Sequence, residues 1–106
     1  MNAPSGTGLK DNDTALIENA ARRIPEIRQV VLFGSRAKGT HKPGSDVDLA
    51  IKGDTLDYES AIRMAGILNE ETPMPYFFDV VNYETVTEAR LREHIDRVGV
   101  VIYERS

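Results

Sequence analysis

The chain has 106 residues, seventeen of them acidic against thirteen Lys and Arg, for a formal charge of −4, and it contains no cysteine. A chain of that length holds one domain, which removes about 60 to 70 per cent of the unfolded surface from water. It has no means of forming a disulfide framework or a thiolate metal site, nothing in it reads as a signal peptide or membrane span, and the acidic balance argues against a long nucleic-acid backbone as partner.

Residues 1 to 10 are rich in Gly, Ser, Pro and Asn and are expected to form a mobile tail, with the folded domain running from 11 to 106. Asp11 or Asp13 is placed to cap a helix through Leu16, Ile17, Ala20 and Ala21 to about Ile24, and Pro25 stops it. Val30, Val31, Leu32 and Phe33 predict a strand over 29–33. A short helix is expected over 35–39, with Gly39 at its end and its N-terminus free to face an anion. A second strand is predicted over 46–51. A helix over 56–70 follows, with Ile62, Ala65, Ile67 and Leu68 turned inward. Thr72-Pro73-Met74-Pro75 breaks the chain before a third strand over 76–82. A helix over 85–97 and a short final strand over 100–103 complete an alternating α/β or α+β domain, with helices flanking a small mixed β-sheet.

The most informative stretch is Gly34-Ser35, then ten residues, then Asp46-Val47-Asp48, with Asp79 further on. Gly34 and Ser35 stand at a strand end, where backbone amides can meet a phosphate. Asp46 and Asp48 fall two apart in a strand, so both carboxylates point to one face. Two anions that close repel unless a cation lies between them, and hard divalent ions take oxygen ligands of this kind. Between the two halves lie Arg36, Lys38, His41 and Lys42 with no acid among them. Positive charge beside paired carboxylates suits a metal-bound triphosphate. Alone, Asp46 after Pro43-Gly44-Ser45 reads as a turn or cap residue, and the basic residues read as a solvated loop. Their combination carries the inference.

Other phosphate and metal motifs fail at named residues. The glycines of Gly34-Ser35-Arg36-Ala37-Lys38-Gly39-Thr40 have P-loop spacing, but Thr40 stands where the lysine belongs. An EF-hand loop needs further oxygen ligands and a glycine after Asp48, where Leu49, Ala50 and Ile51 follow. No Gly-x-Gly-x-x-Gly is present.

The run Gly34 to Thr40 with Ser45-Asp46-Val47-Asp48-Leu49-Ala50 resembles the nucleotidyltransferase superfamily related to DNA polymerase beta, in its minimal form, the MNT domain. That family's pattern is Gly-Ser, ten residues, Asp-x-Asp, and a third carboxylate on a later strand. Phe77-Phe78-Asp79-Val80-Val81 supplies the matching segment. The resemblance implies transfer of AMP from ATP to a hydroxyl, with two magnesium ions about 3.5 to 4 Å apart. By the same resemblance, Asp46 and Asp48 bridge the ions and Asp79 completes the ligands of the one nearest the acceptor. Gly34 and Ser35 hold the β and γ phosphates, with Arg36 and Lys38 as further contacts. Minimal members of the family occur beside helical partners of the HEPN class and act as antitoxins, some by modifying a tyrosine of the toxin. The expectation is therefore a cytoplasmic nucleotidyltransferase with a HEPN-type partner, homodimerisation being left open. The alternative is a nucleotide-binding antitoxin that neutralises its partner by contact alone, using Tyr76-Phe77 and the apolar residues near Val100; core packing is the plainer use of those side chains. His41 and His94 read as exposed residues in polar surroundings.

Overall fold

The computed structural model describes residues 3–105. Four strands, β1 (Gln29–Phe33), β2 (Val47–Lys52), β3 (Phe78–Asn82) and β4 (Val100–Glu104), form one mixed sheet in the order β3-β2-β1-β4. β1 is antiparallel to both β2 and β4, whereas β2 and β3 run parallel. A parallel pair cannot be joined by a hairpin and needs a crossover, which α3 (Tyr58–Glu70) provides. The other helices are α1 (Asp11–Arg22), the five-residue α2 (Gly34–Lys38) and α4 (Ala89–Val98).

Strand alternation sorts the side chains onto two faces. Val30 and Leu32 of β1, Val47, Leu49 and Ile51 of β2, and Phe78 of β3 pack in one core with Ile17, Ala20, Ala21 and Ile24 from α1 and its end and Ala61, Met64 and Leu68 of α3. Val31, Phe33 and Ala50 face the other way and pack under Ile95 of α4, with Val81, Leu91 and Val98 around them. Asp48 and Asp79 alternate with the first set and so belong to the α4 face. The covering there reaches only part of the sheet, and the acids lie on the part left open.

Several local expectations change. In α3 the buried residues are Ser60, Ala61, Met64 and Leu68, while Ile62 is 63% exposed and turned to solvent. Asp57 explains this phase. It caps the helix by accepting the Ser60 N–H at 3.0 Å, and Ser60 Oγ donates to Glu26, which turns the Ser60 side inward. The cap of α1 is Lys10, and Asp13 accepts the Lys10 N–H at 2.9 Å. The last helix starts at Ala89, after a 3-10 turn over Tyr83–Thr85, because the Glu88 carboxylate accepts the N–H groups of Arg90 and Leu91.

The expected tail over residues 1 to 10 is also revised. Met1 and Asn2 lie outside the described residues, but Thr7 and Leu9 are 2% and 7% exposed. Leu9 joins the main core, and the Thr7 carbonyl accepts a hydrogen bond from Arg36. A polar, glycine-rich segment packs here because a buried cation elsewhere in the chain needs its carbonyl.

Candidate nucleotidyl-transfer site

Register alone assembles the acids. The parallel pairing sets Asp48 beside Asp79, and the antiparallel pairing sets Asp48 opposite Phe33, so Gly34 is the next residue along. Asp46 immediately precedes β2, two residues from Asp48. The burial of Val47 and Leu49 on the far face leaves Asp46 and Asp48 on the near one. Asp46 and Asp79 are exposed and Asp48 half-buried. Burial pushes the Asp48 carboxyl above its ordinary range, and the negative charges of Asp79 and then Asp46 push it further. Asp48 is thus close enough to both other acids to feel their charges. Among the described residues no three His, Asp or Glu side chains stand close enough together, as placed, to hold a metal ion.

Gly34 sits against this cluster in a conformation that only glycine adopts readily, with φ +76°. A Cβ at this position would collide with the Asp48 carboxylate. Both features bring bare backbone up to the acids. Gly34→Ala is expected to lower stability by about 1 to 3 kcal/mol through strain and to abolish nucleotide use by displacing Asp48. A thermal melt and a donor-binding isotherm on the same preparation check both effects. Ser35, next in the chain, is half-buried at the first turn of α2, and Gly39 ends that helix at φ +74°.

The structure puts Arg36 to a use its charge does not advertise. It is 3% exposed; Nε and Nη2 donate to the Ser45 carbonyl at 3.2 and 2.9 Å, and Nη1 donates to the Thr7 carbonyl at 2.9 Å. The guanidinium also lies 4.7 Å from the Tyr76 ring centroid, and Tyr76 in turn donates its hydroxyl to Asp13. Arg36 therefore ties the 3–10 segment, the loop before Asp46 and the approach to β3 together, in place of the phosphate contact expected of it. Lys38 is exposed in the last turn of α2. His41, expected in solvent, is half-buried with Nδ1 lacking a partner.

His94 was not legible as part of the site, since its neighbours Arg92, Glu93 and Asp96 are polar. From α4 its Nε2 accepts the Gly34 N–H at 3.2 Å, and its ring packs edge-on to Phe33 at 6.1 Å between centroids. The available signal was helical spacing. Leu91, His94, Ile95 and Val98 share the inward stripe of α4.

The acids are all hard oxygen donors, and the charge crowding on Asp48 is what a divalent cation would relieve, so the residues present fit such an ion. Three surface clefts lie elsewhere, lined by Arg22, Tyr103 and Arg105, by Arg28 and Asp54, and by Arg63 and Glu70, and none of these includes one of the acids. The reactive face is open.

A glycine turn pressed against paired acids at the open side of a mixed four-stranded sheet defines a nucleotidyltransferase. The family model described as "Polymerase beta, Nucleotidyltransferase" matches residues 15–106, and the chain belongs to that family. One relative, "Probable protein adenylyltransferase MntA" of Haemophilus influenzae, is 33% identical over 99 residues, spanning 92% of this chain and 85% of the relative. "Protein adenylyltransferase MntA" of Shewanella oneidensis is 32% identical over 68 residues, covering 59% of this chain and 49% of that protein. Among solved structures, a crystal structure of a toxin-antitoxin with AMP-PNP superposes with a TM-score of 0.72 at 25% identity, covering 89% of this chain and 75% of that one.

Proposed function

We propose that this nucleotidyltransferase moves AMP from ATP onto a tyrosine hydroxyl of a HEPN-type helical partner in the cytoplasm and thereby acts as its antitoxin. The observation that carries the reading is the meeting of Asp48, Asp79 and the Gly34 turn on a part of the sheet where Asp46 and Asp79 are exposed. The acceptor must then bring the other wall, which suits a folded protein better than a small molecule needing an enclosed pocket. The relatives named as protein adenylyltransferases support the same class of acceptor.

In the proposed reaction the acceptor oxygen forms a bond to the α phosphorus, the bond from that phosphorus to the pyrophosphate oxygen breaks and pyrophosphate leaves, and the hydroxyl proton passes to solvent water. The Gly34 N–H and Ser35 hydroxyl hold the β and γ phosphates, and Lys38 stands near enough in sequence to add a cation at their solvent side. Asp46, Asp48 and Asp79 are the residues that would hold two magnesium ions, which supply charge neutralisation on the entering and leaving oxygens. β3 is an edge strand and Asp79 on it is exposed, so this acid is accessible to an approaching acceptor. Incubation of the chain with the partner protein and magnesium ATP is expected to add AMP units to the partner, read by intact-mass spectrometry. A partner mass that does not change, or that changes equally with the Asp46→Asn, Asp48→Asn variant, defeats the proposal.

A further inference from the structure

The Gly34 amide already has a partner. His94 Nε2 accepts its proton at 3.2 Å across sixty residues of sequence, and the imidazole is steadied by the edge-to-face contact with Phe33. Acceptance at Nε2 puts the ring proton on Nδ1. An amide N–H has one proton to give, and its preferred geometry is nearly linear. Under the donor-site reading above, on which this inference rests, a phosphate oxygen needs the same proton. Imidazole nitrogen and phosphate oxygen therefore compete.

We propose that His94 sets the donor affinity of the site by occupying the Gly34 amide in the free protein, so that nucleotide seats only when the imidazole gives the amide up. The physical reason is linkage. A contact made in the free state and lost in the bound state lowers the competent fraction, and the apparent dissociation constant rises by the inverse of that fraction. The net worth of one hydrogen bond corresponds to a factor of about three to ten. The same competition works at the end of a turnover, because the imidazole returns to the amide as the phosphates leave. His94 is thus a positioning residue that trades donor affinity for release, and it keeps the glycine turn from leaving its N–H unpaired when no nucleotide is bound.

The test compares wild type with three variants. His94→Ala and His94→Phe both remove the acceptor, and His94→Phe keeps an aromatic edge against Phe33 should the smaller side chain loosen α4. His94→Gln carries an oxygen at about the reach of Nε2. Magnesium ATP is titrated calorimetrically into each without acceptor protein, and the Gly34 amide resonance is followed by NMR. His94→Ala and His94→Phe are expected to bind about three to ten times more tightly than wild type, and His94→Gln to bind like it. The Gly34 amide proton is expected to move upfield in the first two before nucleotide is added, and not in His94→Gln. Equal or weaker binding by both acceptor-free variants, with wild type still binding and its Gly34 resonance shifting on titration, overturns the role of His94 alone. A wild-type protein whose Gly34 resonance ignores magnesium ATP overturns the donor-site reading and this inference with it.

Discussion

Asp48→Asn is expected to reduce AMP transfer by about a thousandfold, the usual scale for loss of a main electrostatic stabiliser, while leaving the fold intact and no less heat-stable. Both halves follow from one position. Asp48 is the residue that β2 places beside Asp79 and next to Gly34, so an amide there removes the charge central to the cluster. Its carboxyl is held above the ordinary range by burial and by the charges of Asp79 and Asp46. A carboxyl raised on folding contributes stability below its unfolded pKa and loses that contribution as pH rises through the folded one. At neutral pH the charged group therefore burdens the native state, and asparagine does not. The melting temperature of Asp48→Asn relative to wild type is expected to increase as pH goes from acid to neutral, and added magnesium should raise the wild-type value more than the variant's. A variant that melts well below wild type at neutral pH without metal would show that Asp48 is structural instead.

Arg36→Ala is expected to be the most destabilising single change near the site, by about 3 to 5 kcal/mol, as when one partner of a buried charged network is removed. The substitution leaves the Thr7 and Ser45 carbonyls without a donor, takes the cation from the Tyr76 ring and opens a void where a 3% exposed side chain stood. For a domain of about a hundred residues, 1 kcal/mol moves the midpoint by about 4 °C or more, so a fall of roughly 12 °C or more should appear in a thermal scan. Arg36→Lys should recover little of it, because an ammonium cannot reach both carbonyls with a planar fork. Below its own transition the alanine variant should still bind nucleotide, which separates a structural tie from a phosphate ligand.

Arg36 also shows where reading the chain alone stops. The strands at Val30–Phe33 and Val47–Ile51 and the glycine turn between them were legible because their signals are local: apolar runs, a glycine, two acids spaced by two. The partnership of Asp48 with Asp79 is not local. It needs a parallel pairing across a helix, and only the family resemblance supplied it. Arg36 and Lys38 look alike in sequence, yet one is buried and the other exposed, since which side of a five-residue helix faces the protein depends on what packs there. In α3 Leu68 is buried and Ile67 packs on the core as expected, but Ile62 faces solvent despite being apolar, while the buried Ser60 is made tolerable by hydrogen bonds to Asp57 and Glu26. His94 escaped notice because its partner is a backbone amide, which leaves no mark in the sequence.

The crossover that makes β2 and β3 parallel also decides which side of the molecule is free for other uses. α3 packs with α1 against the face of the sheet opposite to the acids, and its outward side presents Tyr58 and Ile62, 73% and 63% exposed and one helical turn apart. A change on that ridge lies on the side of the sheet away from the acids, so Ile62→Ser alters the surface there without touching the reactive side.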